Sequence, residues 1–587
     1  MEKHGLYSRN GGILDRKFLH YFLPTLITTI AISLNEFVDS LVVSNLLGSD
    51  ALSIVNLGSP IVLAMAAVYT LFGNGGATVY GVLCGKQDRK SAGQVFRLSM
   101  LVSIAVGALF LVLGMIFLSP LCNMLCRTEE LIGDFTRYVR ILILSSPLLI
   151  GILSFVEFLP PSGSPVIAMV INLTANVVNL VFDYIYIRIV GLGVAGAALA
   201  TATGYAVALV LLVVFLILRR LNVHSSPLDK KASGKNLRML GNIAATGSSP
   251  ALIQAGYSIK FAFCNAMAIK YGGTTGIAVF SLCIQLTSLV SIALAAISGA
   301  AAPLMSVLHG QRDYEGESLI LKTAMRYCLV SSVVFVALFE LFPGTIASLY
   351  NVTENQAVTM ANVALRVFAL MFLFRSLVII FMDYLKVKGI NTYAMGISLF
   401  DGFAGIIPIC WVLCTLFGLN GLWWTFAIDS MLLFAIVLVI NSVIVHRSKG
   451  KYKGILLEQQ ETAARRVWDM TIPETSETTS KLSQELIEEC TAMGMDEKTA
   501  NSVGLVVEEM AVYTAEHSKS DRIDILIKLF RDKILIDFRS LGTSSSPLVK
   551  QSDDNPENIS ILKGFSSKIE YDYLLGMNTT RIIIDLK

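Results

Sequence analysis

The sequence predicts an all-α polytopic membrane protein, with twelve transmembrane helices in two six-helix repeats, followed by a C-terminal cytoplasmic α+β domain. Three observations predict it. Of 587 residues, 54% are hydrophobic and only 15% charged, with mean hydropathy +0.66, where an ordinary soluble chain is about 25% charged. Twelve apolar runs fill residues 18–446, and most exceed the roughly 20 residues a spanning helix needs. About half of the 43 acids lie after residue 455, an asymmetry that marks a soluble appendage. The lipid bilayer is thus the first expected partner, and no nucleic acid is expected.

The helical cores fall at 18–44, 51–75, 95–120, 135–158, 166–189, 194–219, 244–269, 277–305, 325–348, 358–385, 393–417 and 420–446. Residues 1–17 form a polar, basic cytoplasmic segment, expected not to be a cleaved signal. The first lobe is 18–219, a cytoplasmic linker is 220–243, and the second lobe is 244–446. A basic helical linker, 447–465, leads to the α+β domain, 466–587. Basic residues cluster on one set of connections: Lys86, Arg89 and Lys90; Arg219 to Arg238; Arg312; Lys386 and Lys388. Arg16 and Lys17 precede the first helix, and Arg447 to Lys453 follow the last. The excess of positive charge on the cytoplasmic side puts both termini there, in a plasma membrane. The nine cysteines include the i,i+4 pairs Cys122/Cys126 and Cys410/Cys414, read as small core residues.

The repeat shows in short matches. Val82-Leu83-Cys84-Gly85-Lys86-Gln87-Asp88-Arg89 recurs as Val307-Leu308-His309-Gly310-Gln311-Arg312-Asp313-Tyr314. Pro24 matches Pro250, and Gly196 matches Gly421. Six helices is an even number, so both halves enter the membrane in the same sense, related by a pseudo-two-fold along its normal, with a cavity between them.

In the tail, Val467–Ile472 reads as a strand, and 480–493 and 497–518 as amphipathic helices. Residues 522–529 and 533–539 alternate as paired strands. Residues 543–558 read as a loose loop, 559–569 as a short helix and 581–587 as a last strand.

Polar residues inside the apolar runs carry the functional argument. The fifth helix holds Asn172, Asn176, Asn179, Asp183 and Tyr186, whose steps of four and three put them on one face. An intramembrane acid is costly unless it meets protein, water or an ion, so it marks a candidate site. The first helix carries Asn35, Glu36 and Asp39, with Asn35 and Asp39 on one face, and the sixth carries Thr201. Helix directions put Asp39, Asp183 and Thr201 all in the outer half of the first lobe. Such a set suits H⁺, which needs a desolvated carboxylate, or Na⁺, which favours hard oxygen ligands. The second half is no copy here: Pro408 stands 225 residues after Asp183, and Asn265 stands 226 after Asp39. It offers Gln254, Lys260, Gln285, Asp401 and Asp429 instead, and Lys260 and Asp401 either pair structurally or line the cavity. The working acids are expected in the first lobe alone.

With VDSLVVSNLLG in the first helix, GNGGATVYGVLCGKQDRKSA around the second, and NVVNLVFDYIYI followed by GVAGAALAT, the chain resembles the multidrug and toxic compound extrusion (MATE) transporters over about residues 15–445. The resemblance implies a bacterial, cation-coupled exporter of amphipathic, cationic small molecules. It implies a cation site at Asp39, Asn179, Asp183 and Thr201. Some branches of that family use an acid in the seventh helix; this helix has none. The tail is similar to the anti-sigma-factor kinase group of the histidine-kinase-like ATPase fold, through VVEEMAVYTAEH at 506–517. Glu509 and His517 match that family's helix. Tyr513 stands where its Mg²⁺-binding Asn is expected, and Ser540-Leu541-Gly542 replaces its Asp-x-Gly. The resemblance thus implies a degenerate nucleotide site at Glu509, Tyr513, His517 and Gly542, and a regulatory domain that dimerises or binds a cytoplasmic protein. The chain has no Walker A motif. No enzyme activity and no cofactor beyond the coupling ion, H⁺ or Na⁺, are expected. The competing readings are a membrane sensor that signals through the tail, and a lipid-linked flippase on a related fold.

Overall fold

The computed structural model describes residues 9, 11–126, 129–218, 223–228, 233–349, 355–461, 464–473, 476–517, 522–548 and 562–586. They fall into two compact units. One is Phe18–Asp313 with Ile320–Ile444; the other joins described residues of Met1–Lys17, Tyr314–Leu319 and Val445–Lys587.

The larger unit is helical. Helix α1 is Gly12–Leu47, entered from the smaller unit at Lys17. Helix α2, Ser49–Tyr69, passes through a π turn at Thr70–Asn74 into α3, Gly75–Gly85. Then follow α4 (Arg89–Ile116), α5 (Leu118–Leu125) and α6 (Glu129–Val156). Helix α7 (Pro165–Tyr184) ends in a π turn, Ile185–Ile189, and α8 is Val194–Ile217. The second half holds α9 (Ser233–Gly310), α10 (Tyr314–Leu341), α11 (Pro343–Leu349), α12 (Asn355–Ala369) and α13 (Met371–Val387). It closes with α14 (Asn391–Leu399), a π turn at Phe400–Ala404, α15 (Ile406–Phe417) and α16 (Leu419–Arg447). Asp88 caps α4, its Oδ1 accepting the Ser91 N–H at 3.0 Å. Pro165 opens α7, where a missing N–H costs nothing.

Eleven helical runs among the described residues are long and apolar enough to cross a membrane. One of them is the 78-residue α9. Unbroken, it would reach about 117 Å at 1.5 Å per residue, against a hydrocarbon core of roughly 30 Å. It is broken at Gly273, whose φ of 58° and ψ of −147° are not helical. Gly48, which separates α1 from α2 with φ 89°, lies 225 residues earlier. The sequence reading expected the linker between halves at 220–243. Residues 220–222 and 229–232 of that stretch, with three of its basic side chains, lie outside the described residues, and α9 already begins at Ser233.

The repeat extends to backbone detail. Gln87 and Arg312 both take positive φ, 59° and 57°. Asp88 N–H bonds the Leu83 carbonyl at 3.1 Å, as Asp313 N–H bonds that of Leu308 at 3.0 Å. This is the bond pattern that closes a helix on a left-handed residue. The turns after α6 and α13 match likewise: Ser164 N–H to Leu159 O at 2.9 Å, and Ile390 N–H to Leu385 O at 3.0 Å. The matched motifs also meet. A Cβ on Gly85 would collide with the Val307 carbonyl, and one on Gly310 with the Val82 carbonyl, so α3 and the end of α9 pack backbone to backbone. All nine cysteines are buried, and none is in a disulfide.

After α16, the C-terminal part of the smaller unit opens with a hairpin of β1 (Tyr452–Lys453) and β2 (Glu458–Gln459). The basic helical linker expected at 447–465 is therefore corrected: Lys449, Gly450, Gly454 and Leu457 all have positive φ, which no helix accommodates. Next come β3 (Arg466–Pro473), α17 (Ser476–Ala492), α18 (Glu497–His517), β4 (Arg522–Leu529), β5 (Lys533–Leu541), β6 (Lys568–Leu574) and β7 (Met577–Asp585). The five long strands form one antiparallel sheet, ordered β3-β4-β5-β7-β6. Apolar residues of α17 and α18, such as Leu486, Val503 and Val507, pack on Ile472, Ile525, Ile536 and Ile582 of one sheet face. The short helix expected at 559–569 is confined, among described residues, to 562–565, and β6 starts at Lys568. Most of the expected loop at 543–558 lies outside the described residues.

Candidate cation site

Three helices of the first half build the site. Gly204 of α8 lies so close to α7 that a Cβ would collide with the Ala175 carbonyl. That approach brings Thr201 beside Asn179, and the Asn179 Nδ2 donates to Thr201 Oγ1 at 3.3 Å. From α1, the Asn35 Nδ2 donates to Asn179 Oδ1 at 2.8 Å. Asn179 thus ties all three helices. One turn along, Asp39 and Asp183 interact carboxyl to carboxyl. Asp183 is fully buried, and neither of its oxygens has a hydrogen bond of full geometry; Asp39 Oδ1 is likewise unmet. Tyr138 of α6 is a further near neighbour of both acids, which the sequence reading did not single out.

Asp39, Asn179, Asp183 and Thr201 are therefore together, with Asn35 as a fifth member. Tyr186 lies beyond them, its hydroxyl 3.3 Å from Thr203 Oγ1. Asn172 and Asn176 are half-buried further along α7, and Asn176 Nδ2 is buried without a partner. Glu36 is exposed, one turn from Asp39 on α1, and makes none of the hydrogen bonds that join the set. Gln254 is half-buried and Gln285 exposed, both on α9 and outside the cluster. No group of three or more metal-ligating side chains occurs among the described residues.

The second half holds a different polar centre. Lys260 Nζ donates to the backbone carbonyl of Asp401 at 2.9 Å, not to its carboxylate. The π turn at Phe400–Ala404 supplies that carbonyl, since a π turn shifts the helical bond pattern. The carboxylate of Asp401 pairs with Arg375 at 3.0 Å, and Arg375 also donates to the Tyr257 hydroxyl at 2.6 Å. Of the two readings offered for Lys260 and Asp401, structural pairing or cavity lining, the contact is structural but through the Asp401 backbone, and Arg375, missed in the sequence, takes the carboxylate. Asp429 lies buried beside them with Oδ1 unmet. Two further acids escaped the sequence reading. Asn74 of the first π turn donates to Glu157 at 2.9 Å. Asp383 pairs with Lys386 at 2.6 Å and accepts from Ser298. Glu157 and Asp383 stand 226 residues apart, so the repeat offset was the signal that could have found them.

In the tail, Tyr513 and His517 stack at 4.2 Å. His517 Nδ1 donates to the Tyr513 carbonyl at 2.9 Å. The buried Tyr513 hydroxyl lies 3.3 Å from Ser545. The Gly542 carbonyl accepts from Tyr573 at 2.9 Å. Glu509, half-buried on α18, has its carboxyl pushed up by burial and by Glu508 and Glu516. The cavity beside Tyr513 measures about 10 Å³, roughly the room of one water.

The comparisons with known proteins agree on the helical part. The MatE family model matches residues 24–185 and 251–412, once in each half. Multidrug export protein MepA of Staphylococcus haemolyticus (strain JCSC1435) is 24% identical over 448 residues, covering 76% of this chain and 97% of that protein. The MepA of Staphylococcus aureus (strain MSSA476) is 23% identical over 441 residues, covering 75% and 96%. A MOP superfamily transporter from Pyrococcus furiosus superposes with TM-score 0.68 at 21% identity, covering 74% of this chain and 96% of that one. An outward-facing multidrug resistance MATE family transporter gives TM-score 0.68 at 20% identity, covering 73% and 95%. With more than half its length matched by the family model, this chain belongs to the MatE family and is a multi-pass membrane transporter rather than an enzyme.

Proposed function

We propose that the protein is a secondary active exporter of amphipathic organic compounds, driven by inward movement of H⁺ or Na⁺ through the first half. One observation carries the reading: the fully buried carboxylate of Asp183, faced by Asp39 and unmet by any full hydrogen bond. Two acids in an apolar bundle cannot both stay ionised cheaply. A proton or a cation shared with Asn179 and Thr201 relieves them. The MepA relatives bear the name multidrug export protein, which supports drug-like substrates. Twelve spans, with α9 crossing as two helices about Gly273, and both termini cytoplasmic, complete the reading. The ion shifts the equilibrium only if it binds one arrangement of the halves more tightly than the other. The packing of Gly85 and Gly310 gives the two halves a contact that opens in one arrangement and closes in the other. We read the tail as a regulatory domain without ATP hydrolysis, because Tyr513 stands where the resemblance to the anti-sigma-factor kinase group puts a metal-binding amide. Efflux of a fluorescent cation from proteoliposomes, with pH and Na⁺ gradients imposed separately, tests the reading. Accumulation driven by one gradient supports it; indifference to both gradients refutes it.

A further inference from the structure

The smaller unit holds two pieces of chain that are distant in sequence from its sheet. Arg9 is the first. Its side chain is 1% exposed, with Nη1 3.3 Å from Asp469 Oδ2 and Nη2 3.6 Å from Asp524 Oδ2. Its backbone N–H also donates to the Asp469 carbonyl at 3.3 Å. The two acids belong together by register. Thr471 of β3 pairs with Asp524 of β4, so Asp469, two residues before Thr471, shares a sheet face with Asp524 as its diagonal neighbour. That face is opposite the one covered by α17 and α18, since the alternate residues Met470, Ile472, Ile523 and Ile525 belong to the helix-side core. Like charges on one buried face repel, and a planar guanidinium is the side chain that can serve two carboxylates at once. Lys17 makes a second fixing, donating to the Gly576 carbonyl of the β6–β7 turn at 2.8 Å.

The other piece is 314–319. Ser318 donates to Glu458 of β2 at 2.8 Å. The Tyr314 ring lies 5.8 Å from Lys528 Nζ of β4, on the same sheet face as Asp524. The chain enters and leaves this unit at Lys17, Tyr314, Leu319 and Val445. The first of these joints continues into α1, which carries Asn35 and Asp39. The other three lead to α9, α10 and α16, all of the second half.

We propose that the C-terminal domain is a strap, joined through the chain to both halves, whose acidic notch, Asp469 and Asp524, captures Arg9 of the chain's own N-terminus. A folded unit joined covalently to both halves restrains any motion that changes the spacing of its joints. Its contacts form fully in only some arrangements of the halves, and leaving those costs the contacts. Arg9 is the fastener on the first-half side, because it precedes the first turn of α1 and reaches no part of the cation site.

The strap rests on the transport reading, and the test separates the two. Arg9→Glu, Asp524→Asn and the double variant are compared with the natural chain in proteoliposomes, for initial efflux rate and for protease cleavage before residue 17. Wild-type vesicles without gradient-driven efflux would refute the transport reading and leave the cleavage arm to judge Arg9 capture. With efflux present, both single variants should expose the N-terminal segment and speed efflux by about fivefold, what a little under 1 kcal/mol of restraint yields. The double variant should add little, because both changes break one contact. Arg9→Glu leaves the domain's helix-side core untouched, so its result stands even if Asp524→Asn fails to fold. An N-terminal segment as protected in Arg9→Glu as in the natural chain overturns the capture. Exposure with an unchanged or slower rate overturns the strap.

Discussion

At the scale of single residues, Asp183 is fully buried with neither carboxylate oxygen fully hydrogen-bonded. Its stripe on α7 was legible because helical spacing alone puts Asn179 and Asp183 on one face, and the depth expected from helix direction brought Asp39 and Thr201 into the same set. What was not legible was the pairing of charges that depends on tertiary approach. Nothing in the sequence near Arg375 tells that its guanidinium takes Asp401 while Lys260 takes a carbonyl. Two predictions belong here. Asp39→Asn and Asp183→Asn should each lower gradient-driven efflux on the order of 5–150-fold, the usual span of a coupling free energy, while surface expression stays as in the natural chain. Unchanged efflux in both would remove the site. Arg375→Leu should destabilise the protein by about 3–5 kcal/mol, because it strands a buried Asp401 carboxylate. Adding Asp401→Leu should recover much of the loss. Thermal unfolding in detergent measures both, and an additive double variant would show that the pair does not interact.

Among elements, the apolar runs gave helices where they were expected, and the tail strands β3, β4 and β5 fell close to their sequence limits. Strand β6 and the start of β7 were missed for a physical reason. Asp572, Asn578, Thr579 and Thr580 are buried in the sheet, so the alternation that betrays a half-buried strand is written in polar residues there. The hairpin after α16 was missed because its basic run looked helical, while its glycines decided otherwise. The contact of α3 with α9 bears directly on the proposed alternation between arrangements. Gly85→Val places a branched side chain against the Val307 backbone, and overpacking of this kind typically costs about 1–3 kcal/mol. The penalty falls on the closed arrangement alone, so the variant should bias the protein away from it and slow efflux by roughly 5–150-fold. Gly310→Val, at the matched position, should do the same. Full activity in both would show that closure at this point is not needed in the cycle.

At the scale of the whole molecule, composition and repeat announced a duplicated bundle with an appendage. They did not announce that described residues up to Lys17, and Tyr314–Leu319 at the start of α10, fold with that appendage. Such long-range assembly leaves no local pattern, since Arg9 is one basic residue among several at the N-terminus. The appendage also bears on energy supply. Tyr513 and His517 stack at 4.2 Å beside a cavity of about 10 Å³. A domain that turned over ATP to drive export would have to be indispensable; a restraint would not. A chain ending after Ser448 lacks the sheet but keeps α1 to α16, and with them the site at Asp39 and Asp183. It should still export under an imposed gradient, faster than the full chain, and ATP with Mg²⁺ should raise the melting temperature of neither. A ligand at 100 times its Kd would stabilise the full chain by about 2.7 kcal/mol, so a nucleotide held by the tail would show in that scan. Loss of export on truncation, in protein that still reaches the membrane and stays monodisperse, would make the tail part of the transport machinery rather than its restraint.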